Sequence, residues 1–209
     1  MKRLITTIMV FVVGLSVIAP DISAQAQKSK ARAATKQEKM DAWHKDMAEF
    51  RARSAQDRHL AALTDSIASV QARAALQNQD FVLEADNVTF RNGSTVFVNS
   101  NTNFISVKGN RAVVQISPSY LASGPNGVGG VTVDGLISGQ QIRTGKDGRI
   151  TFSMNVTGIG INAQVEIYMF PGTNQASATV YPNFNSNTVW LSGTIVPYEN
   201  SNVFEGMSL

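Results

Sequence analysis

Two periodicities divide this chain. From Asp80 onward apolar and polar residues alternate with period two. Phe152, Met154 and Val156 interleave with Thr151, Ser153, Asn155 and Thr157, and Ile161, Ala163, Val165, Ile167 and Met169 with Asn162, Gln164, Glu166 and Tyr168. Successive side chains point to opposite faces of a strand, so each run predicts a strand with one buried and one wet face. Shorter alternations occur at Ala112, Val114 and Ile116, at Val131 and Val133, and at Ala176, Ala178 and Val180. Turn signals separate them: Asn92-Gly93, Lys108-Gly109-Asn110, Lys146-Asp147-Gly148, Pro171-Gly172-Thr173-Asn174 and residues 183–187. Such links are too short for parallel crossovers. The fold class expected is therefore mainly β, an antiparallel meander of about eight strands that closes as a barrel or folds over as a sandwich to hide its edges.

Ahead of Gln79 the period is that of a helix. Met40, Trp43, Met47 and Phe50 form one apolar stripe, and Leu60, Leu63, Ile67, Val70 and Ala74 a second. Thr35-Lys36-Gln37-Glu38 reads as a capping box, and Ser54-Ala55-Gln56-Asp57 offers a second helix start. At about 100° per residue the two stripes fall on nearly opposite sides of one helix. The reading favoured is a break between Arg51 and Arg58, giving two helices rather than one, with the second packed on the β domain. Residues 27–34, basic and poor in apolar groups, are expected to be disordered.

The first residues carry an address. Lys2-Arg3, an uncharged apolar run of about sixteen residues from Leu4 to Ala19, Pro20 and the small residues up to Ala24-Gln25-Ala26 have the parts of a secretory signal peptide. The run is shorter than the roughly twenty residues that span a bilayer. The organisation expected is a signal peptide at 1–26, a basic helical segment at 27–78 and a β domain at 79–209, exported to the periplasm or cell surface. Cleavage after Ala24 or Ala26 would leave no integral membrane segment. With no cysteine in the chain, neither disulfides nor lipidation of a cysteine is available.

Charge is unevenly placed. The net charge is +3, yet residues 79–209 hold six Lys and Arg against eight Asp and Glu, whereas residues 27–78 hold ten against six. A nucleic-acid binder lines a face with cations interleaved with stacking aromatics. The β domain lacks that pattern, so no nucleic-acid partner is expected.

Several sequence words carry a resemblance. In order they are Asn103-Phe104-Ile105-Ser106-Val107, Ala112-Val113-Val114-Gln115-Ile116, the segment from Gly124 to Gly135, Gly158-Ile159-Gly160-Ile161 and Ser201-Asn202-Val203-Phe204. Over about Asp80 to Leu209 the chain resembles an exported Bacteroides-type family known as domain of unknown function 4251. The resemblance implies a periplasmic or surface-associated protein of a Gram-negative gut-type bacterium. It transfers no catalytic or binding residue.

Candidate chemistry is sparse. The β domain contains no His and no Cys, which removes Ser-His-Asp and Cys-His nucleophilic sites and Cys/His zinc sites from it. His44 and His59 lie among charged helical residues without a partner at metal-ligand spacing. Asp86, Asp134 and Glu166 fall within strands, and two carboxyls about 5 to 10 Å apart would suit glycoside hydrolysis. Scattered acids on a wet sheet face are the plainer account. The Gly124–Gly130 run lacks the Gly-Lys-Ser/Thr ending of a phosphate loop, and reads as a long turn with a bulge entering the Val131 strand. Asn87, Asn92 and Asn155 begin Asn-x-Ser/Thr triplets to which no role is assigned. Tyr120, Tyr168, Tyr181, Trp190 and Tyr198 serve either strand packing or a sugar platform. A transmembrane barrel would need apolar bands facing lipid, whereas the outward phase here is Asn, Gln, Ser and Thr.

The functional expectation is an exported, non-enzymatic binding or envelope-structural module. It needs neither cofactor nor metal, and its partner would be an envelope component or a protein. A binding site, if present, is expected at the loop rim with Asn126, Gly127, Gly129, Gly130 and Asp134. Two other readings stand beside it: a carboxylate-dependent hydrolase of envelope or extracellular glycans, and a protein that docks a partner through its N-terminal helix.

Overall fold

The strands close into a barrel. In the computed structural model of the chain, which describes residues 22–117, 130–159, 162–183 and 188–206, one helix, α1 (Ile22–Asn78), precedes nine strands. These are β1 (Asp80–Phe90), β2 (Thr95–Phe97), β3 (Phe104–Lys108), β4 (Arg111–Ile116), β5 (Val131–Thr144), β6 (Ile150–Gly158), β7 (Asn162–Met169), β8 (Gln175–Pro182) and β9 (Val189–Pro197). The chain forms two compact units, Met1–Gln56 and Asp57–Leu209.

In the second unit β1, β3, β4, β5, β6, β7, β8 and β9 are hydrogen-bonded in that order, and β9 returns to pair with β1. Every pairing is antiparallel. The result is an eight-strand closed barrel, not a sandwich, in which each of these strands has a neighbour on both sides; only the end of β5, from Ser138 to Thr144, runs past its partner β4. β1 divides its second side between two partners: Asp80–Glu84 pair with β3 and Asn87–Thr89 with the extra strand β2. Bulges interrupt β1 against β9 between Ala85 and Asn87, and β5 against β6 between Ser138 and Gln141.

Period-two alternation fills the interior. Phe81, Leu83, Ile105, Phe152, Met154, Val165, Ile167, Leu191 and Ile195 are buried in one apolar cluster, with Phe81 and Phe152 edge to face at 5.4 Å. Eight strands make a barrel just wide enough for side chains to fill, and each such side chain contributes roughly 1.5–3 kcal/mol by leaving water. An apolar interior with polar outer rows inverts the pattern of a lipid-embedded barrel. Among the described residues no helix is long and apolar enough to cross a membrane.

The helix departs from expectation in two ways. α1 does not break between Arg51 and Arg58; that stretch holds no Gly or Pro, and its Ala, Arg and Gln residues favour helix. The helix also runs through residues 27–34, whose Ala, Lys and Arg content suits it. In the first unit Met40, Trp43 and Phe50 are exposed and Met47 is half-buried. In the second unit Leu60, Leu63, Ile67 and Val70 are exposed, contrary to the packing expected of them, and Ser69, Ala72, Ala75 and Leu76 are buried instead. Ala72 and Ala75 are small enough to let the helix backbone close on the barrel cluster, which they join with Leu76. The helix stops at Asn78 because Gln79 takes a left-handed backbone at φ 56°, its N–H donating to the Leu76 carbonyl at 3.2 Å.

A C-terminal strap covers part of the outer wall. Val82, Phe104 and Val113 point outward yet are buried, beneath Val196, Tyr198 and Val203. Gln115, fully buried, fixes the strap: its Nε2 donates to the carbonyls of Phe204 at 2.9 Å and Thr102 at 3.1 Å. Its Oε1 accepts from Thr132 Oγ1 at 3.0 Å and from the Gly206 N–H at 2.8 Å. Ser201 Oγ adds a bond to Glu84 Oε1 at 2.6 Å, and the Phe204 N–H one to the Asn101 carbonyl at 2.8 Å.

Candidate functional site

The three carboxylates do not converge. Asp86 sits exposed at the β1 bulge, and its Oδ1 accepts from Asn87 Nδ2 at 2.6 Å. Asp134 on β5 is gripped by Arg111 of β4, which also reaches Glu205 of the strap at 3.1 Å. The hydrogen bond to Asp134 raises the Arg111 pKa well above its ordinary value, against the opposing effect of desolvation. Glu166 lies on β7, two strands from β5. Since Ser153 pairs with Glu166, while Gly158 pairs with the residue after Asp134, the two acids are also displaced by about six residues along the strands, roughly 20 Å at about 3.4 Å per residue. Asp86 is three strands from either, about 14 Å around the wall. No two have the spacing of a glycosidase pair.

Among the loop residues, Asn126, Gly127 and Gly129 lie outside the described residues. Gly130 enters β5 with a left-handed backbone, φ 78°, and a Cβ there would collide with the Ile116 carbonyl. The register of β5 on β4 runs unshifted from Val131 to Leu136, so the bulge expected at this entry is absent there, and the turn before Gly130 lies outside the described residues. His44 and His59 are exposed on α1. Among the described residues no group of three His, Asp or Glu side chains gathers as a metal site.

The structure brings together a different set of residues. On the outer wall, register aligns Gln141, Ser153, Glu166, Thr179 and Trp190 on one rung across β5 to β9. Arg143, Thr151, Tyr168 and Ser177 form a neighbouring rung, and Asn155, Gln164 and Tyr181 a third. Where these rungs meet β5 the wall recedes into an open polar cavity of about 340 Å³, lined by Gly139, Gln141, Arg143, Thr151, Ser153, Asn155, Gln164 and Glu166 around Met154. The β5 bulge accounts for the recess. Gly139 and Gln140 have no partner on β6 between the pairs Ser138–Asn155 and Gln141–Ser153, and a bulge bends its strand and re-aims nearby side chains. Gly139 has φ 63°, and a Cβ there would press on Asn155 Nδ2 at 3.1 Å.

The lining holds itself in place. Arg143 Nη2 donates to Gln141 Oε1 at 2.8 Å, the Tyr168 hydroxyl to Glu166 Oε2 at 2.6 Å, and Gln164 Nε2 to Glu166 Oε1 at 3.4 Å. The bond to Glu166, with burial second, pushes the Tyr168 phenol up to about 12, so it remains a donor at neutral pH. Sequence reasoning selected Glu166 but missed the recess. The available signal was Gly139 inside a strand-forming run, which marks a bulge.

Comparison with known proteins adds a family. The model of the domain of unknown function DUF4251 matches residues 65–195. A solved structure, the crystal structure of a DUF4251 family protein from Bacteroides eggerthii, is similar at 48% identity with a TM-score of 0.61, covering 68% of this chain and 96% of that one. No curated protein matches. A match over more than half the chain, together with a similar fold at that identity, means that the chain belongs to the DUF4251 family.

Proposed function

We propose that this protein is an exported, non-enzymatic binding module of the periplasm or cell surface, and that the recess beside the β5 bulge is its binding site. The observation that carries the reading is a preformed polar recess of about 340 Å³ whose guanidinium, amide and carboxylate groups are already oriented by one another. Groups held in place before a ligand arrives lose less freedom on binding it. A rigid barrel wall supports them, and the separation of Asp86, Asp134 and Glu166 favours binding over paired-carboxylate hydrolysis. Export rests on Lys2-Arg3, the apolar run and Ala24-Gln25-Ala26.

Hydrogen–deuterium exchange of the full chain, with and without a soluble extract of cell envelopes, tests the site. Slower exchange is expected at residues 138–143, 151–155 and 164–166, and is expected to vanish in Ser153→Trp, where a large side chain fills the recess. No slowing at those residues would refute the site. Turnover of an envelope glycan that Glu166→Gln abolishes would refute the non-enzymatic reading. N-terminal sequencing of the cell-fractionated protein tests export: a species in the membrane retaining Met1 to Ala19 would overturn it.

A further inference from the structure

We infer that the ligand of this recess is an oligosaccharide, laid across the outer wall from the β5 bulge toward Trp190; the inference rests on reading the recess as a binding site. Elimination is the first step. An apolar ligand would strip water from the donors and acceptors that the lining's own hydrogen bonds leave over, at a cost of roughly 1–3 kcal/mol for each group so buried. A phosphate dianion would meet one cation, Arg143, and the opposing charge of Glu166 in the same recess. A peptide adding itself as a strand would pair along the edge that β5 leaves free from Ser138 onward, on the side away from β6, and would leave the amide of Gln164 and the carboxylate of Glu166 unengaged.

What remains is a neutral or weakly charged molecule rich in hydroxyls. Each hydroxyl both donates and accepts, and the recess offers both kinds of partner: amides on Gln141, Asn155 and Gln164 and a hydroxyl on Ser153, beside the donor Arg143 and the acceptor Glu166. The second observation is aromatic. Tyr181 and Trp190 are 41% and 40% exposed; Tyr181 pairs with Gln164 of the recess, and Trp190 ends the Gln141 rung where it has wound round the barrel to β9. An exposed aromatic gives an apolar face for the C–H side of a sugar ring, and its polar tip stays wet. Gln141 and Trp190 are four of the barrel's eight strand steps apart, about 19 Å measured along the curved wall. That span calls for several linked sugars rather than one.

The test uses the full chain carrying Trp43→Phe, which leaves Trp190 as its one indole. Neutral gluco- and xylo-oligosaccharides and an oligogalacturonate are titrated separately, and Trp190 emission is followed. A saturable change with at least one of them is expected. It should weaken about tenfold in Gln164→Ala and again in Ser153→Ala, as loss of one or two hydrogen bonds implies. Both residues face outward from the barrel, and circular dichroism checks that the variants fold. Trp190→Phe, read by calorimetry, should weaken the same sugar. Binding that none of these variants changes would place the sugar elsewhere and overturn the inference. Failure of every sugar, with slowed exchange at the recess in envelope extract, would sink the carbohydrate assignment and leave the binding site standing. Failure of both would remove the site as well.

Discussion

Arg111 and Asp134 form a forked pair across β4 and β5, Nε donating to Oδ1 at 2.6 Å and Nη2 to Oδ2 at 2.5 Å. The same guanidinium reaches Glu205 at 3.1 Å, so it joins two barrel strands to the C-terminal strap. The Arg111 side chain is 54% exposed, and exposed ion pairs contribute at most about 1 kcal/mol. Asp134→Asn is therefore expected to lower stability by about 0.5–1 kcal/mol, and by less in 1 M salt, where screening is strong. Urea melts at two salt concentrations check both statements. A loss unaffected by salt would mean that shape rather than charge holds the clasp.

Gln115 does more for the strap than the ion pair, because it is buried and uses both ends of its amide. Gln115→Leu keeps a side chain of similar bulk but removes the amide, and so strands the Phe204 carbonyl and the Gly206 N–H. We expect a loss of about 2–4 kcal/mol and faster amide exchange at residues 201–206. Hydrogen exchange read by mass spectrometry on that peptide, beside a thermal melt, measures the two effects together. A destabilised barrel whose strap keeps its protection would refute the coupling.

How far the sequence foretells this structure depends on the range of the forces involved. Strand phase is local: Ala163, Val165 and Ile167 face the interior as their alternation requires, and antiparallel pairing follows from short turns. Barrel rather than sandwich is settled by one long-range pairing, β1 with β9, which no local pattern encodes. The helix misled for a similar reason. Leu60, Leu63, Ile67 and Val70 make the stronger apolar stripe, but the barrel cluster accepts the smaller Ala72 and Ala75 with Leu76, and fit overrides hydrophobicity. Asp134 was readable as a polar strand residue, not as the partner of Arg111, twenty-three positions away. The recess depends on Gly139 placing three strands in a particular register, so its amides are scattered along the sequence from Gln141 to Gln164.

The Tyr168–Glu166 bond has a pH signature. Its hydrogen bond raises the Tyr168 pKa in the folded state to about 12, above the ordinary value near 10. The stability this contributes is fully present below about pH 10 and is lost as pH rises through the folded value. Ultraviolet difference titration of the native chain against Tyr168→Phe is expected to show this phenol ionising last. In Glu166→Gln, whose amide is a weaker acceptor for the hydroxyl, the transition should move toward 10. An unshifted transition in that variant would show that burial, not the hydrogen bond, governs the phenol.

The seam that closes the barrel gives the sharpest structural test. Gly193 on β9 faces Ala85 on β1 and Ala176 on β8, beside the β1 bulge. A Cβ at this position would collide with the Glu84 carbonyl oxygen and crowd the Ala85 backbone. Backbone atoms of a paired strand cannot swing aside as a flexible side chain can, so Gly193→Ala must push β1 from β9. The expected loss is about 3 kcal/mol, the upper end of ordinary overpacking, with faster amide exchange along both strands. Gly93→Ala is the control: its Cβ would meet nothing within 4 Å, and only its φ of 82° is unfavourable, so about 1–2 kcal/mol is expected there. Chemical denaturation of the two variants ranks them. Equal losses would mean that the seam yields to a methyl group, and that closure of the barrel depends less on the β1–β9 contact than on the interior packing beneath it.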